Sequence, residues 1–346
     1  MAMYSRQPLA AKVAARLQSA AMALGTSNPV PQVARLLNST FSLPEGDQRY
    51  GDNALTPRAA PFEPSFSELQ PNVLRFTIEP LGPDASGVDR RDESTREMRR
   101  LITEHFGREA LHWFDERSEA WRGFGSGANL GYGAFFGTTN DRDGLAATKV
   151  YYETGESQLQ ALPPGLLGLI RIVTALMPNL RPLFTTLSAM RREGGQRVTF
   201  AQPGALRITD FQPLLDAIGL RDRMPGLLQT LGLTLGGRFD LPANSCLVAF
   251  GQDAEGFPEF EVYVMLGMIP DLPPNFLQLL SLGLNERPRE LVALERWLSA
   301  FTPDDDVWPG RFSILSLRTG RRAPPRISLY LRPAEFELPM RALQAA

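Results

Sequence analysis

Five short segments of the chain repeat one chemical pattern: Arg75-Phe-Thr77, Lys149-Val-Tyr151, Arg207-Ile-Thr209-Asp-Phe211, Glu261-Val-Tyr263 and Ser328-Leu-Tyr330-Leu-Arg332. In a β-strand, residues i, i+2 and i+4 share a face. Each segment therefore sets charged, hydroxyl-bearing or aromatic groups on one face and aliphatics such as Val150, Ile208, Val262, Leu329 and Leu331 on the other. A sheet buries its apolar face. If helices cover that face, the polar face needs an interior of its own, and a barrel lumen supplies one. A lumen lined by cations and tyrosines can hold an anion beside a carbocation.

The elements that would position these residues recur in a cycle. Residues 1–40 read as helical, and a Pro- and Gly-containing stretch runs to about residue 60. Residues 61–80 read as two strands with a turn at Pro71-Asn72, and 89–121 as helix with Glu and Arg at i,i+4 spacing. Strands are then predicted at 130–137 and 146–152, joined by a turn at Asn140-Asp-Arg-Asp-Gly144. Helices over 163–192 lead to strands at 197–200 and 205–211 joined by Gln202-Pro-Gly. Helices over 212–232 lead to strands at 246–251 and 259–266 joined by Asp253-Ala-Glu-Gly. Helices over 273–301 lead to strands at 312–318 and 326–331. The repeated unit is strand, strand, helix, helix, five times over. Ten strands are too many to close around side chains alone, so a ligand-sized interior is expected. No stretch after residue 60 reads as a linker. Residues 1–346 are expected to form a single domain, with 1–55 a helical extension and 56–335 the barrel repeats.

Composition narrows the chemistry. The chain has 346 residues, 43% hydrophobic and 21% charged, with a net charge of −2 and no basic tract, which gives no field for nucleic acid. One cysteine, Cys246, excludes an intrachain disulfide and a cysteine-based metal cluster. His105 and His112 lack HExxH spacing. No apolar run is long enough for a transmembrane helix. The N-terminal stretch has no continuous apolar core and reads as an ordinary helix, so the expected location is the cytoplasm. Only two lysines, Lys12 and Lys149, stand against thirty-four arginines, which marks a lysine kept in mid-strand.

Five ββαα units around a solvent-filled barrel resemble the ABBA-type aromatic prenyltransferases, and most nearly their dimethylallyltryptophan synthase (indole prenyltransferase) branch. Pro61-Phe-Glu-Pro-Ser65 followed by Leu74-Arg75-Phe76 and Ile78-Glu79-Pro80 is similar to that branch's opening strand pair, in which a glutamate and then an arginine face the lumen. Lys149-Val-Tyr151 resembles its Lys-x-Tyr strand. The third unit's Arg-x-Lys-x-Tyr is represented by Arg207-Ile-Thr209-Asp-Phe211, with threonine for lysine and phenylalanine for tyrosine. The fourth unit's Gln-x-Tyr or Lys-x-Tyr is Glu261-Val-Tyr263, and the fifth keeps Tyr330 with Arg332 following. The resemblance spans about residues 55–335 and implies an α+β fold, the ABBA (PT) barrel of ten antiparallel strands ringed by helices.

The resemblance also implies a chemistry. Ionising an allylic diphosphate requires fixed cations around the leaving group, a role for Arg75, Lys149, Arg207 and Arg332. The allyl cation is kept from water by ring faces, a role for Tyr151, Phe211, Tyr263 and Tyr330. Glu63 would accept the N–H of an indole and orient the ring; Lys149 or Glu63 would take the final proton. Glu261 would bind a positively charged part of the acceptor. The implied reaction moves a dimethylallyl group from its diphosphate to an indole, tryptophan or a tryptophan-derived metabolite or peptide, with no cofactor and no metal. The alternatives are the same fold acting on a phenol, peptide side chain or guanidinium, or a small-molecule-binding barrel without turnover.

Other motifs have simpler readings. Asp304-Asp305-Asp306 follows Pro303 and reads as a surface turn rather than a magnesium-diphosphate motif. Gly123-Phe-Gly-Ser-Gly lacks the strand and helix that a dinucleotide site requires, and Asp141-Arg-Asp-Gly is a hairpin turn.

Overall fold

The computed structural model describes residues 8–123, 130–192 and 194–339. The glycine-rich run just named lies, apart from Gly123, outside the described residues. The strands are β1 (Phe62–Ser67), β2 (Leu74–Ile78), β3 (Ala134–Asp141), β4 (Gly144–Glu153), β5 (Arg181–Met190), β6 (Gly194–Gln202), β7 (Leu206–Arg207), β8 (Asp240–Leu241), β9 (Cys246–Gln252), β10 (Pro258–Met265), β11 (Gly310–Gly320) and β12 (Arg326–Pro333). Ten of them close a barrel in the order β1-β12-β11-β10-β9-β6-β5-β4-β3-β2, antiparallel at every step, while β7 and β8 form a separate two-stranded ribbon. Closure pairs Ser65 of β1 with Tyr330 of β12 and leaves the barrel without an edge.

The alternation in the sequence sets which face looks inward. Leu74, Phe76, Phe136, Val150, Leu187, Val198, Phe200, Val248, Phe260, Val262, Leu317 and Leu329 are buried in the main apolar core, on the strand face opposite the lumen residues. Each such side chain contributes roughly 1.5–3 kcal/mol by leaving water. The helices that cover them are α1 (Leu9–Leu24), α2 (Val30–Thr40), α3 (Gly87–His105), α4 (Arg108–Arg122), α5 (Pro164–Leu176), α6 (Gln212–Ala217), α7 (Met224–Thr234), α8 (Phe276–Gly283) and α9 (Pro288–Phe301). Helix α3 packs on β3 and β4, α4 on β5 and β6, and α5 on β9, while α1 lies against α9. Helix α3 starts where Ser86 and Asp89 satisfy each other's backbone N–H groups in a capping box. Its first residue approaches the start of β3 so closely that a Cβ on Gly133 (φ 76°) would sit 1.7 Å from the carbonyl oxygen of Gly87. Only glycine fits there.

The third unit departs from the sequence-based expectation. Residues 181–190, expected as helix, form β5, and the β5–β6 hairpin turns just after Met190 rather than at Gln202-Pro-Gly. Met177 ends α5 because Pro178 follows it, and a residue before proline is disfavoured in the helical region. Beyond Pro182 the chain alternates: Phe184, Thr186, Ser188 and Met190 line the lumen, while Leu187 and Ala189 lie in the core. Segment 205–211, expected as a barrel strand, is the short β7 followed by a 3-10 turn over Ile208–Phe211. There Asp210 accepts the N–H of Arg207 at 2.8 Å, a local bond that competes with strand pairing.

Candidate active site

The lumen holds a cavity of about 610 Å³. Arg75 on β2, Lys149 and Tyr151 on β4, Glu261 and Tyr263 on β10, Tyr330 on β12 and Glu63 on β1 all line it, as the sequence predicts. Two predicted residues lie elsewhere. Arg207 is exposed on the outer ribbon and pairs with Asp240 at 3.1 Å. Phe211 is fully buried outside the barrel, its ring 5.4 Å from that of Phe260, a residue of β10's outer face. The cause is the shifted third unit: the strand that carries the pattern is β6, Arg197-Val-Thr199-Phe-Ala201, with Arg197 and Thr199 in the lumen. Arginine is kept there, and threonine again stands where the resemblance has lysine, with alanine in place of tyrosine. Arg332 shares a strand face with Ser328 and Tyr330 but does not line the cavity; its guanidinium lies 3.9 Å from Glu337.

Four cations therefore share the lumen: Arg75, Lys149, Arg197 and Arg318. Arg75 is held by bonds from Nε and Nη2 to Ser65 Oγ at 3.3 and 3.1 Å. Arg197 lies across Gly251 and donates from Nη1 to Glu261 Oε2 at 2.7 Å. Glu261 also accepts from Ser316 Oγ at 2.7 Å. Burial alone would raise the Glu261 carboxyl, but Arg197, Arg318 and that hydroxyl outweigh it and hold the group below the usual carboxylate range. Arg318 donates to Glu259 at 2.5 Å. Three of the guanidinium nitrogens, Nε and Nη2 of Arg197 and Nε of Arg318, are buried with no hydrogen-bond partner. Such donors suit a multiply charged oxyanion.

Lys149 is enclosed among these groups. Burial, then the charges of Arg75 and Arg318, push its ammonium down to about 7. Glu63 has the opposite history. Burial raises its carboxyl to about 7, against the pull of a 2.7 Å bond from Ser313 Oγ and of the Arg332 charge. Ser313 is free to make that bond because β11 bulges between Phe312 and Ile314 and leaves it unpaired.

Aromatic rings enclose the rest of the cavity. Tyr263 and Tyr330 have ring centroids 6.4 Å apart, and Phe184 meets Tyr151 edge-on at 5.7 Å. Phe135, stacked on Tyr132 at 4.4 Å, also lines the wall. Sequence reasoning missed Arg318, Glu259, Phe184 and Phe135. The signal was present on the other strand of the fifth hairpin and just ahead of the pattern on β10: Ser316-Leu-Arg318 and Glu259-Phe-Glu261 carry the same polar–apolar–polar alternation.

Among the described residues, no group of three or more His, Cys, Asp or Glu side chains is placed to share a metal ion, and Asp304, Asp305 and Asp306 are exposed. Nor, among them, is any helix long and apolar enough to cross a membrane.

No protein-family model matches the chain, and no curated protein matches it. Solved structures do. A 5-dimethylallyltryptophan synthase from Streptomyces coelicolor is 18% identical, with 97% of this chain and 100% of that one covered at a TM-score of 0.70. A 6-dimethylallyltryptophan synthase from Micromonospora olivasterospora, in complex with DMASPP and Trp, is 14% identical over 96% of this chain and 99% of that one at 0.75. AnaPT from Neosartorya fischeri is 13% identical over 94% and 93% at 0.66. At these identities the likeness speaks to the fold, and that fold is the barrel of the ABBA-type aromatic prenyltransferases.

Proposed function

We propose that the protein is an aromatic prenyltransferase that moves a dimethylallyl group from its diphosphate to an indole, tryptophan or a tryptophan derivative, and that it does so in the cytoplasm without a metal ion. The observation that carries the reading is the grouping, in one closed lumen, of four cations with three tyrosine rings and a buried carboxylate. Arg75, Lys149, Arg197 and Arg318 would bind the diphosphate and stabilise the negative charge that grows on it as the allylic C–O bond breaks. The faces of Tyr151, Tyr263 and Tyr330 would shield the allyl cation from water. Glu63 would accept the indole N–H and fix which ring carbon meets the cation. The new C–C bond leaves an arenium ion, whose ring proton passes to Glu63 as its carboxylate, or to Lys149 in molecules where that lysine is the neutral amine; both groups are shifted to about 7 and so can accept and later release it. Several solved structures of this fold hold tryptophan together with a dimethylallyl diphosphate analogue, which supports the same pairing here.

The test is mass spectrometry of purified protein incubated with dimethylallyl diphosphate and tryptophan, then with other indoles, cyclic dipeptides and phenols, with EDTA present throughout. The expected result is a gain of one C5H8 unit that Lys149→Ala abolishes. Product that forms only when magnesium replaces EDTA would overturn the metal-independent part. Donor binding without product from any acceptor would favour a binding barrel.

A further inference from the structure

The two carboxylates on β10 that face the lumen are built differently. Glu261 is anchored twice, by Arg197 and by Ser316, and is buried. It acts as a fixed wall that orients the Arg197 guanidinium. Glu259 has one side-chain partner, Arg318 at 2.5 Å, and both are partly open, with side-chain exposures of 18% and 34%. Its cross-strand neighbours are Gly251 on β9, over which the Arg197 side chain lies, and Gly320 on β11, so no side chain brackets it on the β11 side. Arg318 in turn keeps a buried Nε without a partner. A diphosphate entering this lumen meets a cation already neutralised by a carboxylate that is held at one point.

We propose that Glu259 is a displaceable internal counter-ion of Arg318, which sets how tightly the lumen holds diphosphate and so how readily it lets the product diphosphate go. The proposal rests on reading the lumen as a diphosphate site. When the anion arrives, Arg318 exchanges its bond to Glu259 for bonds to the phosphate oxygens, and Glu259 swings towards the open side over Gly320. When the anion leaves, Glu259 takes Arg318 back. The carboxylate competes with the ligand for one guanidinium and weakens binding in the ground state, while Arg75, Lys149 and Arg197 are left to do the holding.

The experiment is calorimetric titration of inorganic diphosphate into four proteins: wild type, Glu259→Gln, Arg318→Met and the double variant, each checked for folding by thermal melt. Glu259→Gln is expected to bind diphosphate roughly 3- to 10-fold more tightly, the range of a partly exposed ion pair that no longer competes. Because the effect runs through Arg318, the gain shrinks to under about twofold in the Arg318→Met background. Equal or weaker binding by Glu259→Gln overturns the proposal. So does an undiminished gain without Arg318, which would reduce Glu259 to a general repulsive charge. A wild-type protein that takes up no diphosphate refutes the donor-site reading itself, a result distinct from either of these.

Discussion

The most specific mechanical demand in the lumen falls on a residue with no side chain. Gly251 pairs with Arg197 across β6 and β9, and a Cβ built there would lie 2.8 Å from Arg197 Cγ, 3.2 Å from its Nε and 3.3 Å from the carbonyl oxygen of Gln196. The backbone oxygen cannot give way, and Cγ sits near the root of the arginine, so Gly251→Ala should turn the whole guanidinium away from Glu261. Two losses follow. Glu261 keeps Ser316 but loses its closest cation; breaking a buried pair by removing a partner costs about 3–5 kcal/mol, and a displaced partner costs less, so destabilisation of up to about 3 kcal/mol is expected. The diphosphate loses a charge-assisted hydrogen bond of about 1.5–3 kcal/mol, or about 10- to 100-fold in affinity. Calorimetric titration with inorganic diphosphate and a thermal melt read the two separately. Gly195→Ala is the control, because its added methyl also faces the lumen but meets nothing within 4 Å. Diphosphate affinity in Gly251→Ala within twofold of wild type would refute the assignment of Arg197 as a donor ligand.

Four further outcomes are expected. Above pH 7 Lys149 is increasingly neutral in the free protein, so diphosphate should bind more weakly from pH 7 to 9 and with net proton uptake; titrations in buffers of different ionisation enthalpy measure the uptake, and its persistence in Lys149→Met would contradict the assignment. The same lysine costs stability below pH 7, where the fold must hold an ammonium it disfavours, and that cost fades as pH rises from about 7 towards the unfolded value of 10.5. Lys149→Met should therefore stabilise the protein by on the order of 2 kcal/mol at pH 6 and by little at pH 10, read as melting temperature across pH; a pH-independent gain would count against it. Finally, Arg207→Ala should leave the donor KM within about twofold, since it removes only a surface pair. Phe211→Ala should cost about 3–5 kcal/mol of stability while the transfer rate per folded molecule is kept, and a selective loss of transfer would return Phe211 to the site.

Four of the five strand pairs were legible because their alternation is bounded by turn residues: Pro71-Asn72, Asp141-Arg-Asp-Gly144, Asp253-Ala-Glu-Gly256 and Gly320 onward. The third pair was not, because the apolar run Leu166–Leu176 masks where the helix ends and because Arg207-Ile-Thr209 imitates the strand code over too few residues to test it. Lumen residues could be read wherever a charge alternated with aliphatics. Which of them touch could not, since Arg197 meets Glu261 across β9, whose inward residues there are Ala249 and Gly251, and no local pattern records the space small residues leave. Ser313 was invisible for a similar reason: its contact with Glu63 depends on a one-residue slip in β11.

Closure of the barrel through β1 and β12 has a consequence for how the molecule comes to exist. Ser65 cannot find Tyr330 until β12 has been synthesised, so the lumen closes after the strands that wall it rather than serving as their nucleus. Until then β1 and the growing end of the sheet present open edges, and the polar code of the inner face has no interior to point into. Folding should be slow and dominated by this long-range pairing. A chain cut before β12 would lose more than Tyr330: with nothing to seal β1 to β11, it would be a curved, aggregation-prone sheet with no enclosed space in which a carbocation could outlive contact with water.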